Sequence, residues 1–324
     1  MNHELTLAIC MYNAERYIEE TLRSIMIQTK QDFHLLIVND CSTDRSTEVV
    51  KRFFRKHSRQ YELVNFEENR GLSAGRRYVE EYAKTQYLLF VDSDDILYPA
   101  YVETLFDKIS SDSDLMAVGC YVEYINSTGK KMGGGIYIGA KSKEEFYRKA
   151  TQEKLIFSIA TSIYDRELAL RVGGHNVTGF PEGKPRYQDL CEDLDLWTRM
   201  SDLYTEGKAI VIVPEILYQY RKHEQAVSSN SLGMLLRMRH IKTNLKRRRR
   251  GEPELSFIDF RAQMAEGEYR KLEKEARAAD SLRRAYYLLR SRHWVTGAKS
   301  LLTSICSNPG YIADKIKHNL LKHK

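Results

Sequence analysis

No stretch of this 324-residue chain approaches the ~18 consecutive apolar residues that would cross a bilayer. Cysteine is scarce and scattered: Cys10, Cys41, Cys120, Cys191 and Cys306 are an odd set with no close pair. That spacing argues against a disulfide framework and a zinc site, and fits a reducing compartment. Met1-Asn2-His3-Glu4 lacks the basic-then-apolar layout of a secretory signal, so a cytoplasmic protein is expected. Two nucleotide motifs are missing as well. The first apolar run is followed by Cys10-Met11-Tyr12-Asn13 rather than Gly-x-Gly-x-x-Gly, and the stretch from Gly179 to Lys184 is one residue short of a P-loop. Hydrophobic residues make up 42% of the chain, enough for a sizeable core, which excludes wholesale disorder.

What is present is an alternation. Residues 5–10, 33–38, 61–66 and 87–91 are short apolar runs that predict strands. Residues 14–28, 46–57 and 72–84 between them carry helical spacing. This predicts an α/β fold, a mostly parallel sheet covered by helices. Ligands of such sheets bind at the carboxyl ends of the strands, and there the fourth run changes from Leu88-Leu89-Phe90-Val91 to Asp92-Ser93-Asp94-Asp95. Acids at alternate positions, Asp92 and Asp94, can share a divalent cation that in turn holds phosphate oxygens. The plainer reading is a polar turn that ends a strand. Residues 116–138 predict a hairpin turning at residues 126–129, with Gly133-Gly134-Gly135 as a flexible crossing.

The net charge of +7 is unevenly spread. Residues 232–324 hold 22 Lys+Arg against 9 Asp+Glu, which leaves residues 1–231 mildly acidic. Two regions follow: an α/β domain at 1–231, and a basic, mostly helical region at 232–324. The second reads either as an amphipathic platform on an anionic membrane, each basic residue adding about 1 kcal/mol, or as a packed extension with a solvated basic face. Nucleic-acid binding through Lys246-Arg247-Arg248-Arg249-Arg250 is not expected, because no nucleic-acid reader motif accompanies the run.

Six segments, in order, resemble the inverting family 2 glycosyltransferases of the GT-A fold. They begin with Ile9-Cys10-Met11-Tyr12-Asn13-Ala14-Glu15 and Asn39-Asp40-Cys41-Ser42-Thr43-Asp44. Next come Asn69-Arg70-Gly71-Leu72-Ser73-Ala74-Gly75-Arg76 and the Asp-x-Asp of Asp92-Ser93-Asp94-Asp95. The last two are Glu192-Asp193-Leu194-Asp195-Leu196-Trp197 and Tyr220-Arg221-Lys222-His223. The resemblance covers about residues 4–230. Three positions depart from it: Cys10 stands where Pro or Thr is common, Asn39 replaces an Asp, and Cys41 replaces a Gly. The Gln-x-x-Arg-Trp motif of processive synthases is absent, which favours single additions.

The resemblance implies a GT-A nucleotide-diphospho-sugar transferase with a helical C-terminal extension, the catalytic domain being residues 1–231. Its partners would be a nucleotide-sugar donor (a UDP-sugar favoured) and a glycan or lipid-linked acceptor. The enzyme would sit in the cytoplasm or peripherally on the cytoplasmic face of a membrane. The implied cofactor is a divalent cation, Mn²⁺ or Mg²⁺, on Asp94 and Asp92 with His223; a solvated surface residue is the plainer reading of His223. Asp193 is implied as the general base, with Glu192 and Trp197 at the acceptor or in support. Cys10, Tyr12, Asp40, Arg76 and Asp92 are implied to bind the nucleotide. For three of these a structural role competes: core lining for Tyr12, a helix cap for Asp40 and a surface cation for Arg76. Two other readings share the carboxylates, a sugar-phosphate nucleotidyltransferase and an inactive module that acts through its basic tail.

Overall fold

The structure, a computed structural model, describes residues 3–158, 161–222, 230–290 and 293–313. Strands β1 (Leu5–Met11), β2 (His34–Asn39), β3 (Glu62–Asn65) and β4 (Tyr87–Asp92) lie parallel in the order β3-β2-β1-β4. Helices α1 (Ile18–Met26), α2 (Ser46–Lys56) and α3 (Leu72–Tyr82) connect them. Leu5, Leu7, Ala8 and Ile9 are all fully buried, so β1 shows the unbroken apolar run of a strand covered on both faces. The helices instead bury one stripe, such as Ile18, Leu22 and Ile25 of α1 or Val50, Phe53 and Phe54 of α2.

The chain continues through β5 (Ile96–Leu97), α4 (Tyr101–Ser110), β6 (Leu115–Ile125), β7 (Lys131–Ile136), α5 (Lys143–Thr151), β8 (Ile163–Asp165), α6 (Arg166–Arg171), α7 (Glu192–Met200) and β9 (Ala209–Arg221). Beyond β4 the sheet becomes mixed. β8 is antiparallel to both β4 and β6, β9 is parallel to β6, and β5 is antiparallel to β9. Two registers set up the rim. Cys10 lies between Val38 and Asp92, so the ends of β1, β2 and β4 are level. Tyr218 and Gln219 lie opposite Leu97 and Ile96, so the end of β9 flanks the stretch just after the acids.

Two expectations need correction. The first helix starts at Ile18, not Ala14: Asn13 has φ +50°, and the Ala14 carbonyl accepts the amides of both Tyr17 and Ile18 in a turn. The three glycines at 133–135 lie within β7 rather than in a crossing. A Cβ on Gly135 would stand 1.9 Å from the Val122 carbonyl oxygen of β6, so the pairing itself requires glycine there.

The chain forms two compact units. The first comprises residues 1–178, 191–226 and 241–253, and the second residues 179–190, 227–240 and 254–324. The chain therefore crosses between units several times rather than once near residue 231. In the first unit part of the arginine run is engaged internally: Arg248 and Arg249 donate to the Asp202 carboxylate at 2.5 and 2.6 Å. The second unit has its own small core of Leu236, Phe257, Phe260 and Leu272. It also contains α10 (Glu266–Arg290) and α11 (Trp294–Ser307), which follow α8 (Ser231–Arg249) and α9 (Phe257–Gln263). There the buried Ser304 hydroxyl donates to the Ala278 carbonyl (2.6 Å). No helix among the described residues is long and apolar enough to cross a membrane.

The loop after β2 explains two of the sequence's departures. Asn39 is buried; its Oδ1 accepts the Ser42 amide (3.1 Å), and its Nδ2 donates to Asn65 (3.0 Å) and Thr47 (3.1 Å). A carboxylate could not make the two donations. Cys41 holds φ +58°, a left-handed conformation that glycine adopts without penalty. Cys41→Gly should therefore raise the free energy of unfolding by about 0.5–1 kcal/mol. Urea denaturation of both proteins measures this, and an unchanged or lower midpoint would show that the thiol's contact with the Glu67 carbonyl (3.4 Å) outweighs the strain.

Candidate active site

The site begins where β4 ends. Asp92 and Asp94 are half-buried and Asp95 fully buried. Three neighbours fix this turn through its backbone. The Asp92 amide donates to the Tyr218 hydroxyl (3.2 Å), the Thr21 hydroxyl of α1 donates to the Ser93 carbonyl (3.1 Å), and Arg221 Nε donates to the Asp94 carbonyl (2.6 Å). The Arg221 amide also donates to Asp95 Oδ1 (2.7 Å). Burial, then the charges of Asp94 and Asp92, push Asp95 well above the usual carboxylate range. Burial also raises Asp92, against the pull of Arg76 and with the push of Asp94.

Arg76, on the first turns of α3, is 1% exposed. Its Nη2 donates to Asp92 Oδ1 (2.9 Å) and its Nη1 to Glu192 Oε1 (2.8 Å), while the guanidinium lies 5.3 Å from the Phe90 ring centre. Asp40, at the end of β2, holds the entrance to α3: its carboxylate accepts the Asn69 side chain (2.9 Å) and the amides of Arg70 (2.6 Å) and Gly71 (2.8 Å). A Cβ on Gly75 would meet Cys10 Sγ at 3.1 Å, so glycine lets α3 close on β1 at the level where Arg76 enters. Burial pushes the Cys10 thiol up to about 12, which leaves it a neutral packing group. Tyr12 is 48% exposed, its ring free of the core.

The third component is the start of α7, entered through Cys191 at φ +56°. Glu192 is the buried partner of Arg76, and burial drives it up to about 8 against that cation. Asp193 is less covered. Burial raises it, opposed by its bond from the Leu194 amide (2.7 Å) and by the charges of Arg76 and His175. Beside it lies a buried pair that the sequence did not reveal. Glu80, one turn below Arg76 on α3, accepts the His175 amide (2.7 Å) and the Tyr164 hydroxyl (3.0 Å), and pairs with His175 Nδ1 (2.8 Å). Trp197 is 1% exposed with its ring 5.5 Å from Tyr164, so it supports α7 from within the core.

The fold thus gathers Cys10, Asp40, Arg76, Asp92, Glu192 and Asp193 at one rim, with Tyr12 exposed at its edge. His223 lies outside the described residues. The Arg76 guanidinium, expected on the nucleotide, bridges the Asp92 and Glu192 carboxylates at this rim. Arg221, part of the Tyr220-Arg221-Lys222-His223 segment but given no role of its own in the sequence reading, is 1% exposed and holds the acid turn. Among the described residues no three His, Cys, Asp or Glu side chains cluster tightly enough to hold a metal by themselves. The donor chemistry nonetheless fits a hard cation, with carboxylate oxygens at alternate positions and the buried Asp95 Oδ2 lacking a hydrogen-bond partner.

The sequence model "Glycosyl transferase family 2" matches residues 6–173. Glycosyltransferase GlyA of Streptococcus pneumoniae is 38% identical over 129 residues, 40% of this chain and 18% of that protein. Residues 1–349 of TarS from S. aureus, solved with UDP-GlcNAc, superpose with a TM-score of 0.55 at 17% identity, covering 93% of this chain and 91% of that one. The mannosyltransferase PcManGT of Pyrobaculum calidifontis, solved with GDP-Man and Mn²⁺, gives 0.52 at 18% identity over 96% and 88%. At these identities the structures share the GT-A-type fold with this chain.

Arg76→Met should cost about 3 kcal/mol, because it removes the charged partner of the buried Glu192 and the half-buried Asp92. A carboxyl raised in the folded state keeps its proton where the unfolded chain has lost it. Stability should therefore fall as pH rises from the unfolded value, ~4.3 for Glu, towards about 8. Glu192→Gln should flatten that slope. Guanidinium unfolding at pH 5.5 and 8 tests both, and equal slopes for wild type and Glu192→Gln would contradict the assignment.

Proposed function

Because the chain belongs to glycosyl transferase family 2, we propose that it catalyses inverting, metal-assisted, single-addition sugar transfer. The donor is a nucleotide-sugar, a UDP-sugar in the first instance, and the acceptor a hydroxyl of a glycan or a lipid-linked glycan. The observation that carries this reading is the Arg76 bridge. It ties the acid turn, suited to the departing diphosphate, to the residue beside Asp193, suited to the incoming hydroxyl.

In this reading Tyr12 presents its exposed ring to the base, and Asp40 shapes the adjoining turn by holding residues 69–71. Asp92 faces the ribose or the cation, and Arg76 acts on the nucleotide through Asp92. Asp94 and Asp92, with His223, would hold Mn²⁺ or Mg²⁺, which neutralises charge on the leaving diphosphate when bound. Asp193 takes the acceptor's proton as the acceptor oxygen bonds to the anomeric carbon and the carbon–phosphate-oxygen bond breaks. A carboxylate raised by burial is a stronger base than one in water, which suits that task. A single displacement, with base and leaving group on opposite faces of the anomeric carbon, would invert that centre. The excess of basic residues in 232–324 supports peripheral contact with an anionic membrane, where a lipid-linked acceptor would be met.

Asp193→Ala should lower transfer by ~10²–10⁴-fold while donor binding stays within about twofold of wild type. The acidic limb of the kcat/KM profile should lie above the ordinary aspartate range, since the base must be ionised. Retained transfer by the variant would remove Asp193 from its role.

A further inference from the structure

Asp92 and Asp94 stand two residues apart with the buried Asp95 beside them, so the turn brings acidic side chains close together. Tyr218 and Thr21 each hold one point of it, and Arg221 holds two. Arg221 donates through Nε to the Asp94 carbonyl (2.6 Å) and through its amide to Asp95 Oδ1 (2.7 Å). Its Nη1 donates to the Asn126 carbonyl in the β6–β7 turn (3.2 Å), and its Nη2 to Glu20 of α1 (2.6 Å). The guanidinium also lies 4.7 Å from the Tyr17 ring centre, and the side chain is 1% exposed. The neighbour of Glu20 on α1, Thr21, holds the Ser93 carbonyl (3.1 Å). Helix, hairpin turn and last strand thus converge on the backbone of the acid turn.

We infer that Arg221 is the positioning residue of the acid turn, fixing the backbone of Asp94 and the side chain of Asp95 so that Asp92 and Asp94 keep their spacing without a cation. The inference rests on the functional reading above. It adds the reason that a fully buried arginine is built into the end of β9. The planar fork is what the role demands: Nε, Nη1 and Nη2 point to three different elements at once, which a lysine ammonium on a flexible stem cannot reproduce. Ligands already held in place bind a cation without the ordering cost that a loose turn would add.

The test is Mn²⁺ binding followed by electron paramagnetic resonance, with saturating UDP, on the full chain and two variants. Arg221→Lys keeps the charge and loses the fork. Glu20→Gln removes only a half-exposed carboxylate partner, with side-chain exposure of 48%, so its fold is secure whatever befalls the buried variant. Thermal midpoints are recorded in parallel. The inference predicts a Mn²⁺ dissociation constant raised at least tenfold in Arg221→Lys and about threefold in Glu20→Gln. The second change should come with a thermal midpoint within 2 °C of wild type, and the KM for acceptor should stay unchanged in both. Variants within twofold of wild type overturn the inference, whatever their stability, and leave the functional reading standing. Wild-type protein that binds neither Mn²⁺ nor UDP overturns both.

Discussion

Asp92 and Glu192 lie far apart in the chain and meet because the guanidinium of Arg76 stands between them. A buried carboxylate without a partner would neutralise itself by taking a proton. Here one permanently charged fork serves two carboxylates, and it enters from α3, which both Asp40 and the Gly75–Cys10 contact place against β1. The end of β4 and the start of α7 are held at one distance, and neither can move without losing its bond to the guanidinium.

One cation does not balance the set. Asp92, Glu192 and Asp193 all feel each other and Arg76, and each is pushed up by burial. The remaining negative potential suits the cation proposed for the acid turn and the proton proposed to pass to Asp193. The protein restrains that potential with backbone rather than with more counter-charges. Tyr218, Thr21 and Arg221 hold the acid turn through its main chain, and Glu80 with His175 supplies a second buried pair one turn along α3.

Much of this was legible in the sequence, and the reasons are local. The apolar runs of β1, β2 and β4, buried on both faces, could be read directly, and so could the clustered acids that end β4. The Glu192-Asp193 pair was marked by its motif. What could not be read were the long-range matches. Nothing near Arg76 says that its partner is Glu192, and Arg221 beside Lys222 and His223 looks like a solvated cation until the register of β9 against β5 places it at the acid turn. Glu80 is four residues after Arg76, so helical spacing put it on the same inner face, yet its need for a partner showed only once His175 was placed. Conformation was hidden too: Cys41 and Gly135 answer to a left-handed backbone and to a strand pairing, neither of which residue type alone reveals.

The central claim is that this rim binds a nucleotide-sugar together with a divalent cation. The most direct measurement is the thermal midpoint of the full chain with a panel of UDP-, GDP- and other nucleotide-sugars, each with and without Mn²⁺. A ligand that binds only the folded state adds about 2.7 kcal/mol at one hundred times its Kd, well within reach of such a scan. The account predicts that one donor raises the midpoint, and that it does so only when Mn²⁺ is present. A folded protein whose midpoint no donor moves, with or without the metal, would contradict it.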